Sequence, residues 1–482
     1  MEIIPLQTSA LVVPARYIRL FLVSLAGIAS VGWILSIAEP RLAFWIIAAS
    51  VGSILVLASA GFRPFSFVFI LGLTHLIFYP LAGFLNLLLE IPAVRVDLWD
   101  SVEQAMAGGA VGCLALAFGS WLSRFVPARR TKFPDFTPPR ISVLISVAIQ
   151  VIVASLLLVL GLYYHSSIAR DYAFQNIYYV NALVIISWVG HAGLFLQVYR
   201  YSKTGKTYDA LLASGAIILT IALFAPSGSR TQALQFLPLL LFLFLTLEKR
   251  ILVKYAIFGI VVVMGLLLTV GMGIYRDLSG LGILSGKGGI APIFDAFRLG
   301  TESIDESEAL VVQRMSDFVA TGRIIDYTPD TIPYRGFEDV GEWWQMFLPG
   351  VFRQDIELAL DGARETVRYG VSTSTEFGST PVMIIGDLYG RGGWFALVLG
   401  MGMIGFALGT LDRRVLFRIN SFTVIFFALF GRHIFSLVSI STLNVFVILT
   451  RELALMLLLA YVLNSAVAFI EGKTLFLGNV FR

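Results

Sequence analysis

The sequence predicts an all-α polytopic membrane protein with about twelve spans and one large loop outside the membrane, on three observations. Hydrophobic residues make up 57% of the chain and charged ones only 14%, where a soluble domain carries roughly 25% charge. Apolar runs of roughly the 20 residues that cross a bilayer recur through most of the 482 residues. Lys and Arg gather at every second connection between those runs, as the resistance of basic segments to translocation requires on a cytoplasmic side.

The runs fall near Ile18 to Ala38, Leu42 to Ala60, Phe65 to Leu89, Ala105 to Phe125, Ile141 to Tyr163 and Val180 to Val198. They continue near Ala210 to Pro226, Thr231 to Leu247 and Tyr255 to Tyr275, and after a long polar stretch near Pro381 to Leu411, Ser421 to Ile440 and Val445 to Ile470. Basic residues stand before the first run (Arg16, Arg19) and after the second (Arg63), fourth (Arg124, Arg129, Arg130, Lys132, Arg140) and sixth (Arg200, Lys203, Lys206). They follow again after the eighth (Lys249, Arg250, Lys254), tenth (Arg413, Arg414, Arg418) and twelfth (Lys473). Both termini are therefore expected in the cytoplasm of a cell whose inner membrane holds the chain. Met1 to Tyr17 has no short apolar core followed by a small-residue cleavage site, so the first helix is expected to stay as an anchor. The one cysteine, Cys113, sits in an apolar run and reads as packing.

Three regions follow: a membrane region over 1–275, an external helical loop domain over 276–380 and a second membrane region over 381–482. The loop holds nine basic against seventeen acidic side chains, leaving the rest of the chain strongly basic. Within it, Ser303 and Glu306 have capping-box spacing ahead of Leu310, Val311, Met315, Phe318 and Val319, with Gly322 expected to stop that helix. Gly341 to Phe352, with Trp343, Trp344, Met346 and Phe347, suits a lid on the spans or a packed loop core.

Charge inside hydrocarbon is costly, so ionisable residues within or at the rim of a span are candidates for function. Ser227-Gly228-Ser229-Arg230 forms an external corner where backbone N–H groups and a guanidinium can meet an anion; a tight turn with a snorkelling arginine is the plainer alternative. Arg276-Asp277 closes the ninth run, as a site or as an ordinary helix end. Glu376-Phe377-Gly378, then Gly386-Asp387-Leu388-Tyr389-Gly390-Arg391-Gly392-Gly393, interrupts an apolar run as a broken helix lining a cavity would. Arg432-His433 and Arg451-Glu452 lie inside apolar sequence, the latter pair readable as glue between helices. No Asp-x-Asp pair, no metal-ligand spacing, no Walker-type loop and no basic stripe for nucleic acid is present, so neither metal nor cofactor nor nucleic acid is expected.

The corner at Arg230, the long external loop and the run Glu376-Phe377-Gly378-Ser379-Thr380-Pro381 leading to Gly386-Asp387-Leu388-Tyr389 resemble the Wzy-type oligosaccharide repeat-unit polymerases of bacterial surface polysaccharides, over roughly Ala210 to Leu411. Asp387 stands where that family carries a glutamate, and Arg391 where it more often has an uncharged residue. The resemblance implies a GT-C-like membrane glycosyltransferase, free of metal and cofactor, that joins polyprenyl-diphosphate-linked oligosaccharides on the external face. It further implies membrane lipids, a chain-length regulator and a flippase as partners. Expected on that basis are Glu376, Asp387 and His433 in catalysis, Arg230, Arg276 and Arg432 on the diphosphate, and Tyr389, Arg391 and Arg298 on the glycan. An O-antigen ligase-like transferase and a transporter of lipid-linked glycans are the rival readings.

Overall fold

A computed structural model describes residues 40–88, 101–127, 133, 135–160, 177–224, 236–248, 250, 253–254, 257–259, 318–347, 365, 367–370 and 383–470. Among these the chain is helical, with no strand, and eight helices are long and apolar enough to cross a membrane. The protein is thus an all-α, polytopic membrane protein. The first predicted span, most of the ninth, and the proposed helix over 303–317 lie outside the described residues.

Helix α1 (Pro40–Ser59) is followed by α2 (Phe67–Leu76), which runs through a π turn at Ile77–Leu81, around Pro80, into α3 (Ala82–Leu88). Proline cannot donate the helical hydrogen bond at its position, and the wider turn absorbs that loss. Next come α4 (Val102–Leu122), α5 (Ile141–Val159), α6 (Ile177–Thr204), α7 (Thr207–Phe224) and α8 (Phe236–Leu247). The loop region contributes α9 (Phe318–Tyr327) and a 3₁₀ segment, Glu338–Phe347. The chain ends with α10 (Ile384–Arg414), α11 (Ser421–Ser436) and α12 (Thr442–Val447), the last joined by a π turn at Ile448–Glu452 to α13 (Leu453–Ile470).

Helix α4 is the axis, packed between α1 and α10 with α9 against its first turns. Its glycines let backbones touch: a Cβ at Gly119 would fall 1.9 Å from the Gly402 carbonyl oxygen, and one at Gly405 2.1 Å from that of Leu116. Small residues at such crossings replace the hydrophobic drive that lipid cannot supply. Gly119→Ala is expected to destabilise the detergent-purified protein by about 1–3 kcal/mol, read as a lower thermal midpoint. Gly402→Ala, whose Cβ would meet its nearest neighbour at 3.8 Å, should leave the midpoint unchanged.

The predicted alternation of basic connections is visible as shared geography. Arg63 donates to the Leu416 carbonyl (3.4 Å), Arg124 to that of Ser59 (2.9 Å) and Arg413 to that of Ser123. Tyr199 bonds Asp135 (2.6 Å), and Asp209, fully buried, pairs with Arg140 (2.9 Å) and Arg200 (3.3 Å). The connections after the second, fourth, sixth and tenth runs therefore meet at one end of the bundle.

One expectation is corrected. Gly322 does not end a helix; it lies inside α9, where a Cβ would sit 1.8 Å from the Ser101 carbonyl oxygen, so the missing side chain serves close packing. Helix α9 also packs against the spans. Phe318, Val319, Ala320, Thr321, Ile324 and Ile325 are all buried, and the Thr321 hydroxyl is 3.2 Å from that of Tyr79.

Candidate functional site

Helix α10 is broken as its glycine-rich start predicts. Gly392 and Gly393 leave helical geometry, and Gly393 has φ 64° and ψ −155°, a region open in practice only to glycine. The break lets the segment after Pro333 run alongside: Arg335 N–H donates to the Gly390 carbonyl (2.9 Å) and Gly336 N–H to that of Arg391 (3.0 Å).

These backbone ties bring opposite charges together. Arg391, whose side chain is fully buried, grips Asp339 with both terminal nitrogens (2.7 and 3.1 Å) and donates Nε–H to Asp387 (3.3 Å). Its guanidinium also lies 5.4 Å from the Trp343 ring centre and 5.7 Å from that of Phe337. Asp387 accepts a further hydrogen bond from the Thr442 N–H (2.7 Å), which ties α10 to α12. Arg335 joins Asp339 (2.8 Å) and Glu365 (3.3 Å), and Arg368 lies 3.7 Å from Glu365. Three arginines thus balance three carboxylates. Burial alone would raise the Asp339 pKa, but the hydrogen bonds and charge of Arg391, with the charge of Arg335, hold it below the usual carboxylate range.

A carboxylate held low contributes stability at neutral pH that is lost once acid protonates it. The thermal midpoint of the wild type is therefore expected to exceed that of Asp339→Asn near neutrality. The gap should close as the pH falls below about 4.

Asp387 and Arg391, expected as base and glycan ligand, are 3% and 1% exposed and sit within this network. Tyr389 is buried as well, its hydroxyl 3.5 Å from the Thr328 carbonyl oxygen and its ring edge-on to Trp394 at 5.0 Å. Exposed aromatic rings at this end include Tyr334, Phe337 and Trp394. Arg335 and Asp339 were missed in the sequence, although their i, i+4 spacing repeats that of Asp387 and Arg391.

Beside the network, an apolar groove of about 400 Å³ opens between α10, α12 and the 3₁₀ segment, lined by Val340, Leu388, Phe395, Leu399, Met403 and Phe446. Phe395 and Met403 are exposed on the outer surface of α10.

Arg432 and His433 occupy a second cluster. Both lie on α11, about 18 Å along the helix from Asn420 and so in the half of the bundle away from the basic end. The Arg432 guanidinium lies 3.3 Å from the Trp188 ring centre, His433 packs edge-on to the same ring at 5.0 Å, and His191 stacks at 4.7 Å on Phe236, the first residue of α8. Trp188 Nε1, His191 Nε2 and His433 Nε2 are buried without a hydrogen-bond partner among the described residues. Among the described residues Arg432 has no carboxylate within ion-pair distance; the nearby Glu452 is bonded by Arg451. Among the described residues three buried polar groups thus stand unsatisfied beside the Arg432 guanidinium, which is costly in a low-dielectric interior unless a ligand completes them. Arg432 and His433 stood out in the sequence through their charge in apolar surroundings, whereas Trp188 and His191 carried no such mark.

Arg230, Arg276, Arg298 and Glu376 lie outside the described residues. Among the described residues, no group of three His, Cys, Asp or Glu could hold a metal ion. Compared with protein-family models, curated proteins and solved structures, the chain matches none of them.

Proposed function

We propose that the protein is a membrane glycosyltransferase that polymerises polyprenyl-diphosphate-linked oligosaccharide repeat units on the external face of the bacterial inner membrane. The supporting observation is the Arg432 cluster: a guanidinium seated on Trp188 that, among the described residues, has no carboxylate bond, beside two histidines and an indole without partners among them. A cation so placed attracts a multiply charged anion carried by a lipid, since the low dielectric strengthens the pairing and the planar fork matches phosphate oxygens.

In this reading Arg432, with Arg230 and Arg276, holds the diphosphate and stabilises its charge as the bond to the sugar anomeric carbon breaks. The electron pair of that bond leaves with the diphosphate, and the acceptor hydroxyl forms the new bond. Its proton passes to Glu376, with His433 as the alternative acceptor. The bond energy resides in the donor, so no nucleotide is consumed. The apolar groove beside α10 suits the isoprenoid chain of the carrier, and the exposed rings of Tyr334 and Trp394 offer faces for sugars.

The test is a transfer assay with purified protein in liposomes and short synthetic polyprenyl diphosphate glycans, read by mass. Products longer by whole repeats are expected, and none when the acceptor is withheld. Glycan that changes leaflet without extension would make the protein a transporter, and attachment to a lipid A core acceptor alone would make it a ligase.

A further inference from the structure

The opposite, basic end of the bundle holds a pocket that the transfer reaction does not use. Its cavity of about 430 Å³ lies among the ends of α1, α4 and α10 and the start of α2, and Arg63, Arg124, Arg413, Asp412 and serines 59, 66, 120 and 123 line it. Three arginines face one carboxylate. That carboxylate is already engaged: Asp412 accepts from the Ser66 hydroxyl (2.5 Å) and from the backbone N–H groups of Phe67 (2.8 Å) and Val68 (3.1 Å), capping α2.

Among the described residues, Arg63 and Arg124 each donate one hydrogen bond, to a backbone carbonyl, which positions the guanidinium without neutralising it. The turn that carries Arg63 is held in an unusual conformation, with positive φ at both Gly61 (65°) and Phe62 (50°). A non-glycine residue in that region is uncommon and persists where its surroundings impose it. Along α4 and the 3₁₀ turn Ser123–Phe125 that continues it, Leu114, Phe118, Trp121 and Phe125 are exposed at near-helical spacing and form an apolar strip that ends beside Arg124. Excess positive charge in a polar pocket, at the end of an outward apolar strip, matches a molecule with a phosphate head and hydrocarbon tails.

We infer that this pocket binds the phosphate of an anionic phospholipid through Arg63, Arg124 and Arg413, with the acyl chains along the exposed strip of α4.

The experiment is native mass spectrometry of the full-length protein in detergent, titrated with phosphatidylglycerol, phosphatidylcholine or inorganic phosphate. Saturable uptake of phosphatidylglycerol is expected, about tenfold weaker in Arg63→Gln and in Arg124→Gln, one charge-assisted contact being of that size. Arg418→Ala, at the same end but outside the pocket, should bind as wild type does, and unchanged thermal midpoints would show the glutamine variants folded. Equal uptake of phosphatidylcholine, or equal loss in Arg418→Ala, would overturn the assignment. Competition by inorganic phosphate at comparable concentration would also overturn it, making this a site for a free anion.

Discussion

Arg432→Ala is expected to lower the rate of glycan transfer by about 10²–10³-fold, the usual cost of removing one preorganised group that stabilises charge in a transition state. The same substitution should leave the thermal midpoint unchanged or raise it. Among the described residues this guanidinium rests on Trp188 without a carboxylate bond, so its burial costs stability that alanine does not. Arg432→Lys should recover only a small part of the rate, because an ammonium cannot both lie flat on the indole and fork onto two phosphate oxygens. Single-turnover transfer and thermal unfolding on the same preparations check both halves. Full activity in folded Arg432→Ala would remove Arg432 from the site. A large fall in its midpoint would make the residue a structural one.

Arg391→Leu should have the largest effect on stability, about 3–5 kcal/mol, since it strands Asp339 and Asp387 without the cation that joins them. Lysine is a poor substitute: Arg391 reaches both oxygens of Asp339, Asp387 and the Gly336 carbonyl at once, which one ammonium cannot do. Adding Asp387→Asn to Arg391→Leu should restore part of the loss by removing one uncompensated charge, as a double-mutant cycle would measure. Thermal unfolding in detergent reads all four proteins of the cycle, and a midpoint unaltered by Arg391→Leu would show that the network does not hold the loop.

Much of the architecture was legible because membrane solvation acts on single helices. Each span must be apolar by itself, so composition alone located α1, α5, α7 and α11 to within a few residues. The break in α10 was legible for the same reason, as consecutive glycines among charges have little other use there. Contacts between elements were another matter. Asp339 meets Arg391 across 52 positions, and Gly322 looks like a helix stop until the Ser101 backbone lies against it. Charge in an apolar setting marked Asp387, Arg391, Arg432 and His433 alike. Two of them complete an ion network and two stand beside unsatisfied groups, a difference that depends on partners the chain supplies from elsewhere.

The crossing of α4 with α10 also bears on how the protein is made. The glycine-lined side of α4, including Gly108, Gly112 and Gly119, packs on Ile325, Ile385 and Gly402, all synthesised long after α4 has entered the bilayer. During that interval α4 has only α1 and its nearest neighbours for company, and its notched side faces lipid tails that fill it poorly. Assembly must therefore wait for the late helices, since such distant contacts form slowly and expose the waiting surface to wrong partners. A truncation before α10 is on this account a chain with its central helix half-clothed, and a natural substrate for membrane quality control.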